Sequence, residues 1–124
     1  MILVDTSALG KLLVAEAESD AVREKLRSLS GKGELFVIST LATTELRRLA
    51  IRMDIAPERV EPVLAPFRVL RASEGIFQLA GRLPYRHLGT LDAIHLATAV
   101  SAEARGIMTF DLCLAEATRA EGLE

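Results

Sequence analysis

Four acidic residues stand where strands and helices would bring them together. Asp5 follows the apolar run Ile2-Leu3-Val4, and Asp111 follows Ile107-Met108-Thr109-Phe110, so two short candidate strands run into a carboxylate. In an open parallel sheet, sites form beyond the carboxyl ends of the strands, and if these two strands are neighbours both acids converge there. Asp92 opens the segment Leu91-Asp92-Ala93-Ile94-His95-Leu96-Ala97, whose apolar residues promise surroundings poor in water. Glu45 lies about a quarter turn from the centre of the stripe Ala42, Leu46, Leu49, Ala50 and Met53, at the border between core and solvent. Carboxylates crowded into one low-dielectric cleft repel one another unless a cation or protons compensate. Mg²⁺, with Mn²⁺ as a substitute, takes oxygen ligands, keeps several waters and leaves positions open for a phosphate. Such a site activates water and steadies the charge that develops on a phosphodiester.

Each acid also has a plainer role open to it. Asp5 and Asp111 are good N-caps for the helices that follow them. Asp92 favours the dipole of its own helix. Glu45 has Arg48 three residues on, a spacing that suits a solvated ion pair. His95, one turn after Asp92, reads either as a ligand beside it or as a buried histidine held by a hydrogen bond. Cys113 has no nearby Cys or His to suggest a zinc pattern and reads as a core or surface thiol. Tyr85 with Arg82, Arg86 and His87 reads as an RNA-stacking loop or as an ordinary polar one.

The elements that must position these residues alternate. Strands are expected at 2–4, 35–38, 67–70 and 107–109. Helices are expected from Thr6 to about Val14, from Ser19 to Leu29, after a cap at Ser39 or Thr40, from Pro57, and after Ser73. A further helix from Leu91 to about Arg105 has Thr90 as its cap and ends at Gly106, and a last one runs from Asp111 to about Ala120. Strands separated by helices imply right-handed crossovers and a parallel sheet covered on both faces.

With 124 residues, half of them hydrophobic, the chain is expected to form one domain over residues 1–124. A single cysteine excludes an internal disulfide and suits a reducing compartment. No apolar run reaches the roughly 20 residues of a membrane span, and no basic segment precedes Ile2-Leu3-Val4. A cytoplasmic protein away from membranes is therefore expected. The net charge of −2 advertises no nucleic acid, but 12 of the 15 basic residues are Arg, which suits bidentate phosphate contacts. Arg47, Arg48 and Arg52 are the candidates for such contacts.

Met1-Ile2-Leu3-Val4-Asp5-Thr6-Ser7-Ala8-Leu9, Thr43-Thr44-Glu45-Leu46, Leu91 to Ala99, and Thr109-Phe110-Asp111-Leu112-Cys113-Leu114-Ala115 appear in that order across the chain. Together they resemble the PIN-domain family, in particular its VapC-type toxins. The resemblance implies a PIN-like three-layer α/β/α fold and a Mg²⁺-dependent endoribonuclease. Asp5 and Asp92 would be the main metal ligands, Asp111 would complete the site, and Glu45 would position the ion or the attacking water. Thr6 and Thr109 would supply hydroxyls. The resemblance further implies tRNA or ribosomal RNA as substrate, a VapB-type antitoxin that drapes a segment over the toxin and directs an Arg at the cleft, and a homodimer. It also implies a closing edge strand after the last helix, which would begin near Gly122-Leu123-Glu124. The sheet is expected to have four strands, or five with that edge.

Two other acid-bearing folds fit less well. Receiver domains and Asp-nucleophile phosphatases need a late Lys for the phosphoryl group and closely spaced acidic pairs, whereas no Lys follows Lys32, and Asp5 is followed by Thr6 and Ser7. The remaining rival is a PIN-like module that binds RNA or protein without cutting it.

Overall fold

Side chains alternate across a strand, so a strand covered on both sides must be apolar at every position. The computed structural model describes all 124 residues; burial at every position holds for the two central ones of its four short strands and not for the edge strand over 68–70, which is largely exposed. The strands are β1 (Ile2–Val4), β2 (Phe36–Ser39), β3 (Arg68–Leu70) and β4 (Gly106–Met108). Between and after them run α1 (Thr6–Leu13), α2 (Ser19–Gly31), α3 (Thr40–Arg52), a 3₁₀ turn (Pro57–Arg59) leading into α4 (Val60–Leu64), α5 (Glu74–Arg82), α6 (Thr90–Ser101) and α7 (Leu112–Ala120).

Ile2, Val4, Phe36 and Ile38 point to one side and pack against α1, α3 and α4 through Leu9, Leu46, Val60 and Leu64. Leu3, Val37 and Ile107 point to the other and pack against Leu96 of α6 and Leu114 of α7. α5 joins that second layer through Ile76, which packs with Ile94 and Ala97. The result is the expected three-layer α/β/α arrangement. All pairings are parallel, in the order β3-β2-β1-β4. The chain builds outward from β1 to β3, then returns to lay β4 on the other side of β1. The sheet therefore reverses its winding between β1 and β4, and a crevice opens there beyond the strand ends.

Four strands form, and beyond them Glu124 alone lies along the free edge of β4. The Glu124 amide donates to the Arg105 carbonyl (3.0 Å), and the Ile107 amide donates to the Glu124 carbonyl (3.1 Å), a parallel bridge opposite Gly106. That approach explains the glycine: a Cβ at 106 would lie 2.5 Å from the Glu124 carbonyl oxygen.

Three local expectations are corrected. Gly89, not Thr90, is the N-cap of α6, and Thr90 is its first residue. α6 ends at Ser101, and the chain leaves it through Glu103 at a positive φ of 56°; Gly106 belongs to β4. Ser39 holds the N-cap position of α3, but its hydroxyl makes no capping bond. No helix is long and apolar enough to cross a membrane.

Candidate active site

The register of β1 and β4 builds the centre of the site. Val4 pairs with Met108, and the Asp5 amide donates to the Met108 carbonyl (3.1 Å), so Asp5 and Thr109 emerge side by side at the crevice. Asp5 is buried, with 2% of its surface exposed. Its Oδ1 accepts from the Ser7 hydroxyl (2.7 Å) and the Ala8 amide (3.2 Å), and its Oδ2 accepts from the Thr109 hydroxyl (2.9 Å). Thr109 in turn accepts from the Asp111 amide (2.9 Å), and the Ser7 oxygen accepts from the Phe110 amide (2.9 Å). The two strand ends are thus laced together by hydroxyls. Asp111 caps α7, its Oδ1 accepting from the Leu114 amide (2.8 Å), while no protein group bonds Oδ2. The capping and functional readings of Asp5 and Asp111 are therefore compatible: capping bonds do not exhaust either carboxylate.

Glu45 reaches the crevice from α3. It does not pair with Arg48. Its Oε1 accepts from the Thr6 hydroxyl (2.7 Å) and lies 2.7 Å from Nε2 of His95. His95 is 1% exposed, and its Nδ1 lies 2.9 Å from the Ser39 hydroxyl. An ionised carboxylate can only accept, so Nε2 carries the proton toward Glu45. Both ring nitrogens are engaged away from Asp92, so His95 is the hydrogen-bonded buried histidine and not a ligand beside that acid. The arrangement fixes one Glu45 oxygen and leaves Oε2 free of protein bonds.

Asp92 enters from the first turn of α6, half-buried and without a hydrogen bond to either oxygen. Its carboxyl is held above the usual range, first by burial and then by the charges of Asp111 and Asp5, with Glu45 adding to the rise and His95 opposing it. All four acids thus share one electrostatic environment. Asp5 is also raised, by burial working against its hydrogen bonds from Ser7, Thr109 and Ala8. Burial pushes Glu45 upward too, but the bonds from His95 and Thr6 prevail and its carboxyl lies below the usual range.

The donor set is all oxygen, which suits a hard divalent cation. No three of the chain's acidic, His or Cys side chains stand close enough to enclose an ion by themselves. An open arrangement of this kind fits Mg²⁺, which keeps several waters and takes few protein ligands directly. The second sign of fit is Asp92, half-buried and with neither oxygen in a protein hydrogen bond.

The groove that continues from the acids along α3 is lined by Thr6, Ser7, Glu45, Arg48, Arg52 and Leu91, among others, with a volume of about 580 Å³. Arg47 is turned away and pairs with Glu61 (2.8 Å). The Tyr85 hydroxyl is tied to Glu121 beyond the end of α7, so the loop at 83–89 is anchored away from the acids. Cys113 is an exposed thiol. A separate apolar groove beside β4, lined by Val22, Leu29, Met108 and Phe110, contains none of the four acids.

Residue-level reading of the sequence missed Ser7 and Ser39, and it gave His95 as a buried, hydrogen-bonded histidine without its partners Glu45 and Ser39. Ser39 closes a strand, as Asp5 nearly does, and that position was a usable signal. The hydroxyl of Ser7 carried none, because its partners at 109 and 110 are remote in sequence.

The model of the PIN domain matches residues 2–119. Ribonuclease VapC47 of Mycobacterium tuberculosis is 37% identical over 126 residues, spanning 98% of this chain and 93% of that protein. Ribonuclease VapC46 from the same organism is 37% identical over 125 residues, with the same coverage of both chains. Among solved structures, M. tuberculosis VapC20, a sarcin–ricin-loop-cleaving toxin, superposes with a TM-score of 0.77 at 19% identity, covering 100% of this chain and 97% of that one. FitAcB from Neisseria gonorrhoeae matches with a TM-score of 0.73 at 21% identity, covering 94% and 92%.

Proposed function

As a member of the PIN-domain family, homologous to VapC ribonucleases along nearly its whole length, this chain is a VapC-type toxin ribonuclease, and we propose that it hydrolyses RNA with Mg²⁺ held by Asp5, Asp92, Asp111 and Glu45. The observation that carries the reading is the state of the carboxylates at the β1–β4 crevice. Glu45 and Asp111 each have one oxygen tied down and one without a protein bond, and Asp92 has two. Mn²⁺ would serve in place of Mg²⁺. A bound ion of this class lowers the pKa of water and offsets charge on the phosphodiester.

The protein's own contributions follow from the bonds. Ser7, Thr109 and the Ala8 amide fix Asp5 so rigidly that it can hold a cation without moving. Asp92, raised first by burial and then by the charges of Asp111 and Asp5, has both oxygens free of protein bonds and is the natural first ligand. Glu45, oriented by Thr6 and His95, presents Oε2 to accept a hydrogen bond from a water approaching the phosphate. Asp111 closes the site from the cap of α7. Thr6 and Thr109 orient acids and need touch no substrate.

An antitoxin partner belongs to the same proposal. Leu91, Phe110 and Leu112, 48%, 45% and 80% exposed, stand next to Asp92 and Asp111. An apolar rim around an acidic centre suits an amphipathic segment that directs an Arg inward. A homodimer is also proposed; a single 13.4 kDa species by light scattering at working concentration would remove it.

The test is cleavage of a tRNA pool and of ribosomal RNA with Mg²⁺ or Mn²⁺, against EDTA and an identically purified Asp92→Asn protein. Discrete products that need metal and disappear in the variant are expected, with a loss of about 10²-fold or more. Equal cleavage by both proteins would overturn the assignment.

A further inference from the structure

Of the three arginines of α3, two face the groove that leads to the acids and one does not. Arg48 and Arg52 are four residues apart, so they stand one above the other on the helix, and Glu45 lies one turn before Arg48 on the same face. Both are exposed, and neither takes part in an ion pair, whereas Arg47 is committed to Glu61. Arg52 is near enough for its charge to favour ionised Glu45. Glu45 lines the same groove as these cations, which is mostly polar but includes Leu41, Leu49 and the 48%-exposed Leu91. Its size, about 580 Å³, lies within the range of sites that enclose a small-molecule-sized ligand.

A strongly acidic centre repels the polyanion it must act on. Cations placed at the centre would be neutralised there, but cations one or two turns away along the same groove attract the chain without cancelling the metal site. Two guanidinium groups at helical spacing offer forked donors to phosphate oxygens, and the exposed apolar surface of Leu91 in the same groove accepts a ribose or base face. We infer that Arg48 and Arg52 form a phosphate clamp for the RNA nucleotide that flanks the scissile phosphate on the α3 side, with Leu91 under its sugar or base. This inference rests on the ribonuclease reading above and adds the direction in which the RNA leaves the acids.

The experiment measures binding of a fluorescein-labelled single-stranded RNA of 20 nucleotides to Asp92→Asn protein across salt concentrations, with and without Arg48→Ala/Arg52→Ala. Arg47→Ala, one residue away and facing Glu61, is the matched control. Loss of two phosphate contacts on single-stranded RNA should flatten the log–log salt dependence by about 1.4 and weaken binding at low salt by at least about tenfold. The control should keep the parent slope. In the cleavage-competent background, the same double substitution should lower kcat/KM through a higher KM. An unchanged slope and an unchanged KM would overturn the clamp while leaving cleavage by the acids standing. A changed slope in a chain that never cuts RNA would sustain the clamp and remove the nuclease. Loss of antitoxin binding with RNA binding intact would assign the pair to the protein partner and overturn the inference. Retained thermal stability of the double variant shows that the two exposed side chains are not needed for folding.

Discussion

At the residue scale, the site is governed by where hydrogen bonds leave lone pairs unused. Glu45 is the clearest case, because Thr6 and His95 both bond Oε1 and so turn Oε2 outward. His95 is a positioning residue: it reaches no free space itself and acts through Glu45 and Ser39. His95→Ala should lower kcat far more than it changes KM, and should cost about 2–4 kcal/mol in chemical denaturation through a cavity and an unpaired Ser39. His95→Gln, which can return an amide donor toward Glu45, should recover part of kcat. Equal kcat in the Ala and Gln variants, at equal folded fraction, would show that the bond does not position the acid. The candidate acids were legible from sequence because Asp5, Asp92 and Asp111 stand at the ends of apolar runs and Glu45 at the border of an apolar helical stripe. The hydroxyls were not, since Ser and Thr at element ends are common caps and only their partners distinguish them.

At the element scale, short strands place the chemistry because β1 and β4 both end at the crevice. A three-residue strand cannot tilt its last residue far from the register of its neighbour, and Val4–Met108 pairing fixes Asp5 against Thr109. The helices then bring in the remaining acids at their first turns or flanks. The sequence pattern located every strand to within a residue or so, but placed Gly106 as a helix stop. The reason is spatial: that glycine answers to Glu124, which approaches from the end of the chain. Gly106→Ala should displace Glu124 and cost about 1–2 kcal/mol, the bonds of one bridge. Amide exchange at Ile107, whose N–H donates to Glu124, should accelerate while that at Leu3 holds. Unaltered exchange at Ile107 would show that the bridge accommodates a Cβ.

At the scale of the whole molecule, concentrated acid makes stability depend on pH and metal together. Asp92 and Asp5 are raised in the folded state, so the fold retains their protons where the unfolded chain has lost them. Their stabilising contribution is complete below the unfolded value, near pH 4, and is lost as pH rises through the folded values. Glu45, lowered in the fold, works in the opposite direction: its contribution is present above its unfolded value and is lost as pH falls through the folded one. Without metal, Asp92→Asn should therefore become more stable relative to the parent as pH rises from 4 to 8. Added Mg²⁺ should stabilise the parent, by about 2.7 kcal/mol at a hundred times its Kd, and leave the variant nearly unmoved. Thermal denaturation across pH with EDTA or Mg²⁺ measures both effects, and a parent insensitive to Mg²⁺ would argue against a metal centre.

The amino-acid sequence alone determined the order of elements and the three-layer packing, and it singled out the four acids proposed here as ligands. These follow from periodicity and from acids at the ends of apolar runs or the border of an apolar stripe, which are properties of neighbours along the chain. Tertiary structure decided which side chains serve the acids. Thr6 meets Glu45 across 39 positions, Ser39 meets His95 across 56, and Thr109 meets Asp5 across 104. It also separated Arg47 from Arg48 and Arg52, three exposed arginines that sequence treats alike. A helix turns about 100° per residue, so one step along α3 carries a side chain from the groove to Glu61. Which direction faces the groove is set by the packing of Leu46 and Ala50 against the sheet and its neighbouring helices, and that exists only in the folded chain.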